Sequence, residues 1–351
     1  MLESESPYRS RRLVIAFDGV TTAAYLHDRT GPVAATWIAN HRPAPEAVDM
    51  AALRAGRAPE MPAAHTRHVR GRAPLVPEAL EVIWLEEGDG VAILERGDLL
   101  AVIPGWSDSS RGMPGYCRDV IGQTPFAWSL EEAMEGLEPR VRDAADFWRW
   151  RADAEAWASF QQGTLGFLLN RLGPGGRYWD VGGGRQPPVG VSERPETPRR
   201  PYTVLSTVGM SCQRMPVAEQ MGEEARAAAR IELAIATTMP SAEAARIFLW
   251  LAQYPWREVT WLGSGHCIPW YHEPATFPLG AGYDAVLLLA RPDALLGPDV
   301  PNLSGFRMAG EPVTWLWLVP VTERERRLAA ERGPDSLVTH LAAQRRSWVV
   351  G

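Results

Sequence analysis

The sequence predicts an α+β protein with two domains: a β-rich front domain over residues 1–140, and a rear domain over residues 141–351 in which helices cover a mixed sheet. Three β-prone segments joined by Gly-Asp turns follow one another from Leu80 to Pro104, and this spacing is typical of a β-meander. Continuous apolar runs from Tyr283 to Ala290 and from Trp315 to Val319 are typical of strands covered on both faces.

Composition limits the classes of function. The chain has 351 residues, of which 46% are hydrophobic, and a formal net charge of −6, so it can bury more than one core and lacks the basic excess of a nucleic-acid-binding protein. Its three cysteines, Cys117, Cys212 and Cys267, are widely separated, which favours a reducing compartment over a disulfide framework. No apolar run is long enough for a signal peptide or a membrane span, so we expect a cytoplasmic protein without a membrane partner.

The front half begins with short antiparallel strands. Arg12 to Phe17, Thr22 to His27 and Val33 to Ala39 are β-prone, and the Pro- and Arg-rich segment after them is predicted to be irregular. A single helix is predicted from about Val141 to Arg171, ended by a Gly-Pro-Gly-Gly segment. The domain boundary is placed near residues 138–142, with the Gly173 to Gly176 break as the second choice.

The rear half is organised around two strands and the corner between them. A β-prone run from Thr203 to Val208 ends in the turn Gly209-Met210-Ser211, and a second run extends from Ile231 to Thr237. Alternation places Glu232 on the face opposite its apolar neighbours. Glu232 is therefore either a buried catalytic acid or, as is more common, a satisfied polar group on the sheet.

This unit and the segments after it resemble the suppressor-of-fused domain. The matching segments, in order, are STVGMS, RIELAI, SAEAARIFLWLAQYPW, WLGSGHCIPW, DAVLLLARPD and WLWLVPVTERERRLAAERGPDSLVTHL. Their order and spacing over Tyr202 to Leu341 carry the resemblance, because each segment alone is short and mostly apolar. The front part of the chain shows no family.

The resemblance implies a non-enzymatic protein that binds another protein. Animal members resemble sequestering partners that hold a peptide as an added strand, and bacterial members resemble immunity proteins that neutralise toxins by occlusion. We therefore expect a bacterial immunity or antitoxin protein whose partner is a protein such as a toxin, gripped through main-chain bonds and side-chain pockets. The positions that match the family motifs, and are the candidates for the binding face, are Gly209, Met210, Ser211, Trp261, His266 and Trp270. Each of them is at least as often a core or turn residue.

Two alternatives stay open, an enzyme and a dimerisation scaffold. His266, Cys267 and His272 could serve an enzyme whose site lies between the two domains, or could ligate a metal. A structural zinc site needs four ligands and no second cluster is spaced to supply them, so we expect no metal, no cofactor and no catalytic residue. Glycine clusters at residues 173–176 and 182–184 lack the Lys-Ser/Thr of a phosphate loop and are interpreted as linkers.

Overall fold

A computed structural model describes residues 2–217 and 227–351 of the chain. The chain divides into two compact units, Met1–Asp153 and Ala154–Gly351. Both contain helices and sheet, with a β-rich first unit and a mixed sheet in the second, so the α+β prediction is confirmed. Part of the acidic and alanine-rich interval between the two organising strands, residues 218–226, lies outside the described residues.

The first unit contains two sheets whose strand pairs are antiparallel except for the parallel pair β8 and β9. A four-stranded sheet has the order β1 to β4, with bounds β1 Leu2–Glu5, β2 Arg12–Phe17, β3 Thr21–His27 and β4 Pro32–Asn40. The meander forms a five-stranded sheet in the order β5 to β9, with bounds β5 Leu80–Trp84, β6 Val91–Glu95, β7 Asp98–Ile103, β8 Tyr116–Cys117 and β9 Trp128–Ser129. Arg96 and Gly97 both have positive φ, as the tight turn between β6 and β7 requires.

The core of the first unit lies between these two sheets. One buried cluster contains Leu13 and Trp37 from the first sheet and Ile93 and Ile103 from the second. A second cluster covers the opposite face of the meander. This cluster contains Val141 of helix α2, which spans Met134–Ala152. A short helix, α1, spans Met50–Arg54 and precedes the meander. The first unit is therefore layered as sheet, sheet and helix.

The single long helix predicted from Val141 to Arg171 is wrong. The structure has two helices, α2 and α3 (Ala154–Leu172), because the backbone of Asp153 is extended, with φ −68° and ψ 131°. Asp is among the residues that favour the position before a helix, where its side chain can accept from the first N–H groups. The predicted boundary at residues 140–141 falls inside α2, whereas the two units part at Asp153.

The second unit is built on an eight-stranded mixed sheet. Its order is β10-β11-β12-β13-β17-β15-β14, with β16 paired to β17. The bounds are β10 Tyr178–Asp180, β11 Gly190–Arg194, β12 Thr203–Val208, β13 Arg230–Thr237, β14 Cys267–Pro269, β15 Ala285–Leu289, β16 Arg307–Met308 and β17 Glu311–Val321. The pair β13 and β17 is parallel, and the other pairs are antiparallel. β15 is buried along its whole length, which agrees with its apolar sequence, and β13 is equally buried although it carries Arg230 and Glu232.

Besides α3, the described helices of the second unit are short. They are α4 Ser241–Ala244, α5 Arg246–Leu251, α6 Tyr254–Glu258, α7 Glu323–Arg332 and α8 Pro334–Ala343. Thr322 and Glu325 form a capping box at the start of α7, and Gly333 separates α7 from α8. Within the described residues, no helix has the length and apolar character that crossing a membrane would require.

Candidate protein-binding surface

The corner after β12 is buried. Gly209 has φ 130°, a value that favours glycine, and a Cβ atom there would lie 2.4 Å from the carbonyl oxygen of Pro188. Met210 and Ser211 follow in a single 3-10 turn, and both are fully buried. The binding role predicted for these three residues is untested, but none of them presents a side chain to a partner in this conformation.

Glu232 explains why this corner has a fixed shape. Its Oε1 accepts hydrogen bonds from the amides of Gly209 and Ser211, both at 3.0 Å, and from the Ser211 hydroxyl at 2.7 Å. Its Oε2 accepts from the Thr207 hydroxyl at 2.6 Å. Burial raises the pKa of Glu232, and these hydrogen bonds oppose the shift. Because its partners lie on β12 and on the corner that follows it, Glu232 acts as a structural clamp between β12 and β13.

Trp261 and His266 contact each other in the loop before β14. Their ring centroids are 4.6 Å apart at an interplanar angle of 72°. The His266 Nδ1 accepts from the Gly263 amide at 3.3 Å, an assignment that requires the neutral tautomer protonated at Nε2. Burial lowers the pKa of His266, which also favours the neutral ring. The two rings form a half-buried edge-to-face pair beside the first residue of β14.

The residues around Cys267 give little support to nucleophilic chemistry. Burial raises the pKa of the Cys267 thiol to about 11, so it is protonated at neutral pH. Neighbouring residues of an extended segment project to opposite sides, which directs Cys267 away from His266. Among the described residues, no group of three or more His, Cys, Asp and Glu side chains is arranged to hold a metal ion.

An aromatic patch is exposed where α5 meets the segment after β14. The Trp270 ring packs edge-on against Trp250 and His272, with centroid separations of 5.1 and 4.8 Å. Two apolar side chains beside it face solvent, since Leu249 is 61% exposed and Tyr271 is 68% exposed. The patch, named the Trp270 surface, consists of Arg246, Leu249, Trp250, Trp270, Tyr271 and His272.

The Trp270 surface contains a shallow cavity of about 220 Å³. Its lining residues are Arg246, Leu249, Trp250, Arg257, Trp270, His272 and Pro278. Arg257 is paired with Glu258 at 2.8 Å, and no carboxylate is among the described residues that line the cavity. Beside it, burial and a hydrogen bond to Tyr271 raise the pKa of Tyr254 to about 12. The cavity is aromatic with cationic edges, a combination suited to an acidic or aromatic side chain.

Strand β14 lies at the end of the sheet, next to this surface. Of the described strands, it pairs with β15 alone. Leu288 donates to the His266 carbonyl at 2.9 Å, and Trp270 donates to the Asp284 carbonyl at 2.7 Å. Because antiparallel bonding alternates along a strand, the main-chain groups of Cys267 and Pro269 point away from β15. This edge therefore offers the Cys267 amide and two carbonyls, because proline has no N–H.

The structure separates the six predicted binding residues into groups. Gly209, Met210 and Ser211 lie together at the buried corner, whereas Trp261 and His266 precede β14 and Trp270 follows it. Helix α5 is apolar nearly all round, a pattern that predicts burial on more than one side. Its buried residues are Ile247, Phe248, Trp250 and Leu251, whereas Leu249 faces solvent. Leu249 and Tyr271 were missed as surface residues, because no sequence pattern marks which side chain of a nearly all-apolar helix is exposed; Trp250, which packs on Trp270, is buried.

Similarity to known proteins supports one family. Residues 185–350 match the family model described as Suppressor of fused protein (SUFU). No curated protein matches the chain. The match to the family model covers the corner, the Trp270 surface and strand β14.

Three solved structures are similar to the chain. A SUFU homolog from Neisseria gonorrhoeae is 14% identical over 55% of this chain and 93% of its own, with a TM-score of 0.38. The structure of a Sufu–Fu complex gives 13% identity, coverage of 54% and 88%, and a TM-score of 0.38. Drosophila Suppressor of Fused gives 13% identity over 54% of this chain, with a TM-score of 0.35, and the match spans only 48% of that protein. The suppressor-of-fused match is therefore confined to residues 185–350, and the residues before them are unassigned.

Proposed function

We propose that this protein binds another protein through the Trp270 surface and the free edge of β14, and that it acts by occluding its partner, as an immunity or antitoxin protein does. The observation that carries the proposal is the position of an exposed aromatic surface directly beside a strand edge with which no described strand pairs. An extended segment of a partner would pair with the edge and place a side chain in the aromatic cavity.

The composition of the surface supports this mode of binding. Trp, Tyr and Arg contribute a disproportionate share of the binding energy at protein interfaces, and all three types are present here. The arginine-edged cavity favours a partner segment with an acidic or aromatic residue. The buried corner at Gly209 to Ser211 contributes by fixing the sheet, not by contact.

Matched surface variants test the proposal. The tagged protein is used to capture partners from its native host, in parallel with Leu249→Asp, Tyr271→Ala and the control Leu296→Asp. Leu296 is 48% exposed and lies outside the Trp270 surface, so Leu296→Asp introduces the same chemical change at a different surface site. We expect a protein retained by the wild type and by Leu296→Asp to be lost with Leu249→Asp and weakened with Tyr271→Ala. Equal recovery with Leu249→Asp, in a variant that unfolds as the wild type does, would contradict this binding site.

The occlusion role has its own test. The captured partner is expressed in a heterologous host alone, with the wild type and with Leu249→Asp. We expect the partner to be toxic alone, neutralised by the wild type and poorly neutralised by the variant. A partner that binds the surface but is harmless when expressed would support protein binding and exclude the antitoxin role.

A further inference from the structure

A groove on the opposite end of the second unit's sheet is separate from the Trp270 surface. It lies between α3 and the β10–β11 hairpin and has a volume of about 640 Å³. Its lining residues are Gln161, Gln162, Leu165, Gly166, Leu169, Gly175, Gly176, Arg177, Tyr178, Ser192 and Arg194. A volume of this size is typical of sites for small molecules.

The polar lining of the groove is cationic. Of the described residues that line it, Arg177 and Arg194 are the charged ones, and no carboxylate is among them. Gln161 and Gln162 add amide donors to the guanidinium donors. Glu193 lies between Ser192 and Arg194 on β11 and is outside the lining, but its carboxylate is close to Arg177. Its Oε2 accepts from the Arg177 amide at 2.8 Å and lies 3.9 Å from the Arg177 Nε.

Arg194 is a buried cation without a carboxylate partner in the described part of the chain. It is 3% exposed, and it donates only to carbonyl oxygens, those of Leu165 at 3.2 Å and Gly173 at 3.5 Å. Its Nε is buried and has no hydrogen-bond partner. Burial and the nearby charge of Arg200 lower the pKa of Arg194. Such an arrangement is costly unless an anion or further hydrogen bonds offset it.

Two glycines make room for charged side chains of β11, Gly175 for the Arg194 guanidinium and Gly176 for the Glu193 carboxylate. A Cβ atom at Gly175 would lie 2.5 Å from the Arg194 Nη1, and one at Gly176 would lie 2.4 Å from the Glu193 Oε2. The sequence predicts that the Gly-Pro-Gly-Gly segment is a linker. In the structure its last two glycines form one wall of the groove. Side chains at either glycine would displace the charged groups next to it.

The remaining lining is apolar. Leu165 and the half-exposed Leu169 lie on α3, and the ring of Tyr178 lies on β10, where it is 39% exposed. We propose that this groove binds a small organic anion, a carboxylate or phosphate monoester with an apolar body, whose oxyanion pairs with Arg194 and Arg177 while its apolar part packs on Leu165, Leu169 and Tyr178. This inference is independent of the proposed function, because it involves the other end of the sheet.

Calorimetric titration of the full chain with three aromatic probes tests the proposal. Phenyl phosphate and benzoate share the required chemistry, and benzyl alcohol has the ring without the charge. We expect saturable binding of phenyl phosphate, benzoate or both, at least about tenfold tighter than that of benzyl alcohol, since charge-assisted hydrogen bonds contribute at this level. Whichever of the two anions binds more tightly identifies the oxyanion that the groove prefers.

Variants locate the binding site. Gly166→Leu inserts a side chain into the groove and should fold, because Cβ at residue 166 meets nothing within 4 Å and leucine favours helix more than glycine does. Gly163→Leu is the matched control on the same helix, with equally open space but outside the lining. Arg177→Gln is compared with Arg199→Gln, an exposed arginine outside the groove. We expect binding to weaken at least about tenfold in Gly166→Leu and several-fold in Arg177→Gln, with both controls unchanged.

Three results would overturn the inference. They are the absence of saturable binding by both anions, equal binding of benzyl alcohol, and unchanged binding in Gly166→Leu. Because Gly166→Leu leaves Arg194 and its carbonyl contacts in place, a loss of binding in a folded Gly166→Leu protein cannot be attributed to disruption of the end of α3.

Discussion

Glu232 and Ser211 are joined by two hydrogen bonds that end on the same carboxylate oxygen. The Ser211 amide donates to Oε1 at 3.0 Å and its hydroxyl donates at 2.7 Å. Since Gly209 and Thr207 also donate to this carboxylate, one side chain satisfies two main-chain N–H groups and two hydroxyls in the interior of the sheet. The stability of the corner depends on this arrangement.

Glu232→Ala should lower the free energy of unfolding by about 3–5 kcal/mol, because it leaves two buried amides without an acceptor and opens a cavity. Urea denaturation followed by tryptophan fluorescence measures the change. Glu232→Gln is the matched control, since its amide oxygen can replace Oε1 and its NH2 can donate to the Thr207 hydroxyl. We expect a clearly smaller loss for Gln, and equal losses would show that the hydrogen bonds contribute little.

The pH dependence of stability should differ between the wild type and Glu232→Gln. The pKa of Glu232 is raised above its ordinary value of 4.5, so the folded state holds this proton more tightly than the unfolded state does. The contribution of protonated Glu232 to the free energy of unfolding is complete below about pH 4.5 and is lost as the pH rises through the pKa of Glu232 in the folded state. We expect the free energy of unfolding of the wild type, relative to Glu232→Gln, to fall over this interval. A relative increase with pH would show that the hydrogen bonds outweigh burial.

Gly209→Ala should destabilise the second unit by about 2–4 kcal/mol, because the new Cβ would meet the Pro188 carbonyl oxygen in a backbone conformation that L side chains rarely adopt. Thermal or urea unfolding of the Gly209→Ala protein measures this loss of stability. Gly163→Ala on the open face of α3 is the control and should raise stability by about 0.5–1 kcal/mol. A neutral Gly209→Ala would show that the corner can relax.

Cys267 should alkylate slowly in the folded protein. With its pKa raised to about 11, the thiolate fraction at pH 8 is about 100-fold below that of an ordinary cysteine. Iodoacetamide labelling followed by peptide mass spectrometry compares the native protein with protein unfolded in urea. Labelling of native Cys267 faster than free cysteine would favour the alternative in which His266 and Cys267 form an enzyme site.

The sequence predicts the strands of both units well. The runs at Arg12 to Phe17 and Thr203 to Val208 match β2 and β12, because alternation and turn residues are local signals. Strand β1, Leu2–Glu5, is polar and has no such signal, since it is formed by pairing with β2. The break at Asp153 was missed for a similar reason: helical periodicity continues on both sides of one extended residue.

The candidate site was only partly predictable. The family motifs indicate Trp261, His266 and Trp270, but a motif does not distinguish a side chain that contacts solvent from one, like Met210, that fills the core. Leu249 is the clearest case, because its neighbours on α5 are buried while it faces outward. Arg194 was not singled out, since its lack of a carboxylate partner depends on contacts between α3 and β11.

The proline at the end of β14 has a consequence for self-association. An exposed strand edge can form main-chain hydrogen bonds with the same edge of another copy and so begin a fibre. Here the strand has three residues and one of them cannot donate, so two copies aligned along it would lack the ladder of bonds that aggregation requires. A segment of a different protein that also places a side chain in the aromatic cavity does not depend on that ladder alone. The edge of β14 can therefore bind such a segment without favouring the self-association of two copies of this chain.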